Sequence, residues 1–299
     1  MILKNLEQLL EQAEKKGRKR LVVAAAQDED VLLAVKAAVE KKLVEPVLVG
    51  NRDEIISILK AIGLDSSSFQ ILHEPDKNLA CQLAVQLIRQ GNGDILMKGI
   101  VTTGMLVKAI LDKEKGLLKG MLLSHVAFFQ SKYYPKVICV TDAALNIAPN
   151  VNEKAAIIRN AVSVCHKIGI EKPLVAVLAA VETVNPKMEA TVHAEILTGM
   201  QKQSQIEGCI VEGPLALDNA VSEEAAHHKG LTSDVAGHAD VLLVPDLNSG
   251  NILYKSLNFL GGAVCAAVVA GAAVPVVLTS RADEDRSKFL SIALAVALS

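Results

Sequence analysis

Short apolar segments alternate with amphipathic segments along the chain, which is the pattern of strands followed by helices. In the first third of the chain, each apolar run precedes a stretch with apolar residues at helical spacing. The predicted strands are Leu21–Ala26, Val47–Val49, Phe69–Leu72 and Asp94–Met97, and the predicted helices are Asp30–Lys41, Asp53–Ala61, Lys77–Arg89 and residues 104–111. This repeated strand–helix unit favours a mostly parallel sheet.

The pattern changes after Gly120. Met121–Phe129 and Val137–Val140 are apolar runs joined by a polar segment that contains Pro135, and this arrangement predicts an antiparallel hairpin. The strand–helix alternation then resumes. Further strands are predicted at Val175–Leu178, Cys209–Val211, Val241–Val244 and Val274–Leu278, with helices at Asn152–Lys167 and Ala282–Leu298. We therefore expect a domain boundary near Gly120.

One uncharged stretch, Phe259–Leu278, is long enough to cross a lipid bilayer. It consists mostly of Ala and Gly, which are weakly hydrophobic, and Pro275 interrupts it. We therefore predict a helix packed closely on a sheet, followed by a buried strand, in preference to a membrane span.

Composition and charge limit the function classes. At roughly 150 residues per domain, the 299 residues predict two domains. Hydrophobic residues make up 51% of the chain, as expected when many strands are buried on both faces. The net charge is -2, aromatics are only 3%, and there is no basic tract, so nucleic acid is not expected as a partner.

The cysteines indicate a reducing compartment. There are five of them, widely scattered and without a C-x-x-C pair, so we interpret them as buried apolar residues. The first residues lack the features of a secretory signal or transit peptide, and we expect a cytoplasmic protein. No zinc-type spacing and no dinucleotide-binding G-x-G-x-x-G is present, so no metal or nicotinamide cofactor is predicted.

The first candidate site begins at Lys98, directly after a predicted strand. Gly99 allows a turn, and Thr102 or Thr103 can cap the helix that follows. Lys98 and Lys108 add positive charge to a helix start that already favours anions. The spacing lacks the Lys-Ser/Thr of a nucleotide P-loop. An ordinary capped turn is the alternative interpretation.

Two more candidates follow later strands. Asp218 comes after a Gly-Pro turn at the end of a predicted strand, where ligands bind in open α/β sheets. Asn251 and Lys255 are one helical turn apart, so their amide and ammonium groups share a helix face suited to an anion or carbonyl group. A solvated loop is the alternative for Asp218.

The fourth candidate is the segment after the last predicted strand. Arg281 can bind a phosphate group through two hydrogen bonds, and Ser280 can donate to a developing oxyanion. Asp283 can act as a base, although an acid at a helix start is more often a partner of the helix dipole.

Taken together, these segments resemble the phosphate acetyl/butyryltransferase family, most closely its butyryl-transferring branch. The resemblance covers essentially the whole chain and rests on several motifs in family order. They are Glu212–Ala220, Gly237–Lys255 and Val276–Asp283, supported by Met97–Gly99 and Thr141–Asn146. The resemblance implies conversion of acyl-CoA and phosphate into acyl phosphate and CoA, a step of butanoate metabolism. It implies no cofactor besides CoA, which is a substrate.

The resemblance also implies an architecture. It is a two-domain α/β/α sandwich with mostly parallel sheets and the active site in an interdomain cleft. The C-terminal strand and helix complete the first domain, so that residues 1–120 and 271–299 form one domain and residues 121–270 the other. Members of the family form homo-oligomers, and we expect one here.

Site roles follow from the acetyl-transferring relatives. Their Ser-Arg pair matches Ser280 and Arg281, which implies that Arg281 binds phosphate and Ser280 stabilises the transition state. Ser287 stands where these relatives have an Asp base, so the resemblance does not identify the base in this chain. We favour Asp283 as the base, with helix capping as its alternative role. Asp218 is the next candidate. Lys108 stands where these relatives have an Arg. The positive charge for a CoA phosphate is kept, but the planar guanidinium group with its fixed set of donors is lost.

The implied mechanism is direct exchange in a ternary complex, in which a CoA thiolate attacks acyl phosphate. A covalent acyl-enzyme is the alternative, but no activated Cys or Ser–His pair supports it. Two other functions stay open. A metal- and NAD-dependent decarboxylating dehydrogenase of related architecture would need an Asp cluster and a nucleotide loop. A non-catalytic regulatory module is disfavoured by the Ser280-Arg281 pair.

Overall fold

The computed structural model of the protein describes residues 2–278 and 284–299. Its helices are α1 Glu7–Lys16, α2 Glu29–Glu40, α3 Arg52–Ala61, α4 Lys77–Arg89, α5 Thr103–Ile110, α6 Val151–Lys167, α7 Glu189–Lys202, α8 Leu217–Val221, α9 Glu223–His228, α10 Leu247–Lys255 and α11 Asp285–Leu298. Its strands are β1 Lys19–Ala24, β2 Val44–Gly50, β3 Gln70–His73, β4 Ile95–Lys98, β5 Ser124–Gln130, β6 Ile138–Thr141, β7 Leu174–Leu178, β8 Ile210–Leu215, β9 Val241–Leu243, β10 Val264–Ala270 and β11 Val276–Val277. A π-helical turn, Ser256–Leu260, follows α10.

The chain forms two compact units. The first unit contains Glu7–Gly120 and the described part of Ala266–Ser299, and the second contains Met121–Cys265 together with residues 2–6. In the first unit the strand order is β3-β2-β1-β4-β11-β10. All neighbours in this order are parallel except β10 and β11, which are antiparallel.

The second unit has the strand order β5-β6-β9-β7-β8. β5 and β6 form an antiparallel hairpin with Ala127 opposite Val140, which confirms the hairpin predicted from the sequence. The other neighbours are parallel. The predicted α/β fold with mostly parallel strands is confirmed in both units.

The apolar runs form strands because both faces of these sheets are covered. Consecutive residues Leu21–Ala24 of β1 are completely buried, so side chains on either side of the strand lie in the core. Polar residues then stop the strands and start the helices. A side chain caps the helix after each of the first four strands: Asp28 after β1, Asn51 after β2, Asp76 after β3 and Thr102 after β4.

The prediction of a helix in the first part of Phe259–Leu278 is wrong. Gly261 and Gly262 follow the π-helical turn, and Val264–Ala270 then forms β10, with Val269 opposite Val276 of β11. A short, uncharged run that is buried all round has no periodicity to separate helix from strand. Its β-branched valines favour the strand. Across residues 2–278 and 284–299, no helix combines the length and hydropathy needed to cross a membrane.

Candidate active site

The strand order of the first unit places a switch point between β1 and β4. β2 and β3 continue the sheet on one side of β1, and β4 lies on the other side. Ligands of open α/β sheets bind beyond the carboxyl ends of the strands at such a point. The loop after β4, which begins at Lys98 and Gly99, is therefore at the position where this fold binds ligands.

Gly99 brings the loops after β1 and β4 into direct contact. Its amide donates to the carbonyl oxygen of Ala24 at 2.8 Å, and Ile100 donates to that of Ala25 at 2.8 Å. A Cβ on Gly99 would lie 2.0 Å from the Ala25 carbonyl oxygen, which is shorter than any real contact. Only glycine permits this approach, so Gly99 acts by letting the two loops meet.

Lys98 is buried, and its ammonium group lies inside the same loop. It donates to the carbonyl oxygens of Gly99 at 3.1 Å and Val101 at 3.3 Å. Thr102 caps α5, since its hydroxyl oxygen accepts from the Met105 amide at 3.3 Å, and Thr103 is the first residue of the helix. A lysine cation therefore lies next to a capped helix start, a combination that suits an anion.

Lys108 lies one to two turns further along α5, on a groove between α4 and α5. The groove has a volume of about 1030 Å³. Amide and charged side chains line it, including Gln82, Gln86 and Arg89. Arg89 donates to the Glu114 carbonyl oxygen at 2.7 Å, which fixes the guanidinium group at the groove. Its lining also includes the acidic residues Asp112 and Glu114, so the groove offers amides and both signs of charge, with Lys and Arg in excess, to a large polar ligand.

Ser280, Arg281 and Asp283 lie outside the described residues. The strand that leads to them, β11, pairs with β4 in parallel, and Val277 is in register with Met97. α11 follows these residues in the chain. Its buried Lys288 forms an ion pair with Asp30 of α2, with the ammonium 3.1 Å from the carboxylate. Ser287, which the family resemblance aligns with an Asp base, is buried on α11.

In the second unit, Asp218 belongs to a network of charges after β7 and β8. Lys229 lies 3.3 Å from the Asp218 carboxylate and 2.6 Å from that of Glu182. Fully buried Asn219 donates its side-chain amide to Glu182 as well. The hydrogen bond from Lys229 lowers the pKa of Glu182, and the same bond raises the pKa of Lys229. No local sequence pattern points to Glu182 or Lys229, which are 47 positions apart along the chain.

Asn251 and Lys255 both lie on α10, four residues apart and exposed. The Asn251 side-chain amide is 3.5 Å from the carbonyl oxygen of Ala143 in the loop after β6. The Lys255 ammonium lies 5.8 Å from the centre of the Phe259 ring. The two side chains thus occupy one row of the helix, as their spacing indicates.

The structure also brings together two basic side chains, Lys154 and His193, that the sequence does not predict to be in contact. Lys154 of α6 is only 3% exposed, and its ammonium lies 2.9 Å from Nδ1 of His193 on α7. Burial lowers the pKa of Lys154. The pKa of His193 is lowered by burial and then by the charge of Lys154.

Other features bear on cofactors and redox state. All five cysteines are free and buried, as the sequence predicted. Burial raises the pKa of the Cys81 thiol to about 11, despite the opposing effect of Lys98, so this thiol is not activated. In the part of the chain that the structure describes, no group of three His, Cys, Asp or Glu side chains could hold a metal ion.

Comparison with known proteins shows the family. The profile of the family described as phosphate acetyl/butaryl transferase matches residues 5–82 and 77–296. A phosphate butyryltransferase from Clostridium acetobutylicum is 45% identical over 98% of both chains. A phosphate acetyltransferase from Thermotoga maritima is also 45% identical, over 97% of this chain and 98% of its own. At equal identity, these two relatives differ in the acyl group that they are named for.

The fold leads to the same family. The solved structure of a branched-chain phosphotransacylase from Enterococcus faecalis superposes with a TM-score of 0.84 and 35% identity. The superposition covers 94% of this chain and 98% of that one. These matches do not favour a dehydrogenase or a regulatory module. The chain belongs to the phosphate acetyl/butaryl transferase family of acyltransferases.

Proposed function

We propose that this enzyme catalyses the reversible reaction of butyryl-CoA with phosphate, which gives butyryl phosphate and CoA. A phosphate oxygen attacks the thioester carbonyl carbon, a new C–O bond forms, and the C–S bond breaks. The sulfur leaves with the bonding electrons and takes up a proton as CoA. In the reverse direction a base removes the thiol proton, and the thiolate attacks the acyl carbon of butyryl phosphate.

The observation that carries this proposal is the loop after β4 at the switch point of the first unit. Lys98 and the capped start of α5 favour an anion there, as phosphate and acyl phosphate are. β11 lies directly beside β4, so the chain enters Ser280 and Arg281 from the same sheet edge. We assign phosphate binding to Arg281 and transition-state stabilisation to Ser280, as the family resemblance implies.

The groove between α4 and α5 is our proposed site for the nucleotide end of CoA. CoA carries a 3′-phosphate and a pyrophosphate, and Lys108 supplies a cation to this groove. A lysine binds phosphate as a point charge, so it needs less exact geometry than an arginine does. No further cofactor is part of the proposal.

Asp283 is our first candidate for the base that accepts the thiol proton. It follows the proposed Ser280-Arg281 pair by two residues. Asp218 is the second candidate, since it is half exposed and follows the carboxyl end of β8. Asn251 and Lys255 are assigned to the acyl carbonyl and phosphate groups, because an amide and an ammonium on one helix face suit both.

A thiol-release assay tests the proposed function. The purified enzyme is mixed with butyryl-CoA, with and without phosphate, and free CoA is measured with a thiol reagent. We expect release that depends on phosphate and continues in EDTA. Equal release without phosphate would identify a thioesterase and contradict the proposal. Loss of activity in EDTA that magnesium restores would contradict the metal-free mechanism.

We also propose a homo-oligomer acting in the cytoplasm, where acyl-CoA substrates are available. The high apolar content of the chain supports a buried self-contact. Light scattering at micromolar concentration measures the mass directly. A mass equal to the 31.7 kDa of one chain would contradict self-association.

A further inference from the structure

One wall of the groove between α4 and α5 is a row of carboxamides. Asn78, Gln82 and Gln86 are spaced four residues apart on α4, so they follow one another along one face of the helix, and all three line the groove. All three are exposed, and none of the hydrogen bonds between described residues uses their side-chain amides. Three carboxamides along this wall are therefore available to a ligand.

The floor of the groove is apolar. Val85 of α4 is buried there, and Met105 and Ala109, four residues apart on α5, are partly exposed in the groove. A flat aromatic ring that lies on these side chains removes apolar surface of both partners from water. A ring with polar atoms at its edge can at the same time form hydrogen bonds with the amides of the α4 wall.

The other wall and the far end of the groove carry positive charge. Lys108 lies on α5, and Lys113 and Lys115 belong to the loop that follows it. That loop is held in place, because the Asp112 carboxylate accepts from the backbone amides of Glu114 at 3.0 Å and Lys115 at 2.7 Å. The amides of Lys115 and Glu114 lower the pKa of Asp112 and partly compensate its negative charge.

The basic end of the groove singles out two of the three amides. Arg89 donates to the Glu114 carbonyl oxygen at 2.7 Å, which joins the end of α4 to the basic loop. Gln86 lies about one turn before Arg89 and Gln82 about two turns before it, whereas Asn78 is about three turns away. Gln82 and Gln86 are thus the amides closest along α4 to the basic loop.

Amides, an apolar floor and cations together suit an adenosine 3′,5′-bisphosphate. Adenine has apolar faces, and its edge presents an N–H donor beside a ring-nitrogen acceptor. A glutamine complements that edge, because one carboxamide both accepts and donates. The phosphates need cations, and a lysine binds them as a point charge. CoA carries this nucleotide at the end opposite its thiol.

The groove begins beside the loop that we propose to bind phosphate. Thr102 of that loop caps α5, and the groove follows α5 from Met105 to Asp112. The eight residues of α5 span about 12 Å, so a base beside Lys108 lies roughly 10 Å from the start of the helix. The pantetheine arm of CoA is an extended chain that can cover this distance. Both places belong to the first unit.

We infer that Gln82 and Gln86 recognise the adenine base of CoA. Each carboxamide can accept from the amino group of the base and donate to a neighbouring ring nitrogen. This inference rests on the proposed function and adds to it the residues that distinguish CoA from thioesters without a nucleotide.

The test measures the binding of two nucleotides to the full-length enzyme by calorimetry. One is adenosine 3′,5′-bisphosphate. The other is its etheno derivative, in which an added ring blocks the amino group and the adjacent ring nitrogen. The wild type should bind the first roughly tenfold more tightly, as expected for one good pair of an amide and a base. Gln82→Met and Gln86→Met should each lower this ratio, and the double variant should bind both nucleotides equally.

Two other variants are the controls. Lys108→Ala should weaken the binding of both nucleotides by the same factor, since the phosphates are common to them. Gln203→Met removes an exposed carboxamide from the second unit and should change neither affinity. Gln82 and Gln86 are exposed as well, so their variants should keep the circular dichroism spectrum of the wild type.

Two kinds of failure can be told apart. Equal affinity of the wild type for both nucleotides, no binding of either, or an unchanged ratio in the double variant would overturn the inference. In each of these cases, phosphate-dependent release of CoA from butyryl-CoA would leave the proposed function standing. A wild-type enzyme inactive with butyryl-CoA and phosphate would overturn the proposed function itself, and this inference with it.

Discussion

The ammonium group of Lys154 lies 2.9 Å from Nδ1 of His193, and both groups are largely removed from water. Two carboxylates of the described residues act on the pair: Glu189, 3.6 Å from Nε2 of the imidazole, and Asp246, which attracts Lys154. Glu189 is mostly exposed and compensates weakly. A second positive charge on this pair is therefore unfavourable in the folded enzyme.

The first prediction is a loss of stability in acid. The pKa of His193 is lowered below its ordinary 6.5 in the folded state, so the unfolded chain takes up the proton first as the pH falls. The free energy of unfolding should therefore decrease below about pH 6.5, with a slope of at most about 1.4 kcal/mol per pH unit. His193→Gln should remove this contribution. Urea unfolding between pH 5 and about pH 8 measures it.

Lys154→Met provides the control for that prediction. Removing the neighbouring cation should raise the pKa of His193, which NMR titration of the imidazole resolves. Two results would contradict the proposed interaction between Lys154 and His193. One is a loss of stability below about pH 6.5 in His193→Gln that equals that of the wild type. The other is an unchanged pKa of His193 in Lys154→Met.

The second prediction concerns a matched pair of glycines in one loop and helix. Gly99→Ala places a methyl group against the Ala25 carbonyl oxygen, so we expect about 2–3 kcal/mol of destabilisation and loss of activity. The added methyl group of Gly104→Ala, in the first turn of α5, meets no described atom within 4 Å apart from its chain neighbours and its own helix backbone. It should be neutral or stabilise by up to about 1 kcal/mol. Thermal unfolding of both variants checks this, and equal effects would contradict it.

The third prediction concerns phosphate. Arg281→Ala should raise the phosphate KM and reduce kcat roughly a hundredfold, because a fixed donor to the transferred group is lost. Arg281→Lys should recover only part of the activity, since it cannot make two parallel bonds. Arg286→Ala, which removes an exposed ion pair with Glu7, is the control. Normal phosphate kinetics in folded Arg281→Ala would refute the assignment.

The fourth prediction separates CoA binding from catalysis. Lys108→Ala should raise the KM for butyryl-CoA roughly tenfold, as expected for a lost charge-assisted contact, with little change in kcat. The effect should be much smaller with 3′-dephospho-butyryl-CoA, which lacks the proposed partner. Lys60→Ala removes a cation at the end of α3 and serves as the control. Equal losses with both thioesters would place Lys108 away from the 3′-phosphate.

The fifth prediction concerns the base. Asp283→Asn keeps the size and the hydrogen-bonding oxygen of the side chain, and the N-cap of α11 is Glu284, so a purely structural role predicts near-normal turnover. A base role predicts a fall of roughly a hundredfold or more and a changed pH–rate profile. Glu284→Gln, the next residue along the chain, is the control. Normal turnover in Asp283→Asn would direct the search for the base to Asp218.

Much of the first unit could be predicted because its signals are local. α4 runs from Lys77 to Arg89, as the apolar spacing indicates, since Ala80, Ala84 and Ile88 form its buried stripe. The loop at Lys98 was also recognisable. The capping Thr102 is a local signal, whereas the contact that requires glycine at position 99 is made with the distant loop after β1.

The features that the sequence did not predict depend on distant contacts. Lys154 and His193 are 39 positions apart, and Glu182 and Asn219 are 37 apart, so no local pattern links them. The sequence predicts a helix where β10 lies, because alanine suits any buried segment. The same prediction places Phe259 at the start of a packed helix, whereas the structure leaves this side chain exposed.

The position of β11 has a consequence for how this protein is made. β11 lies beside β4 inside the sheet of the first unit, yet the ribosome synthesises it after the whole second unit. Until then, one edge of β4 has no strand to pair with, and unpaired edges promote aggregation. A nascent chain stalled before residue 266 therefore presents an open β-edge and needs a chaperone, even when its earlier helices have already formed.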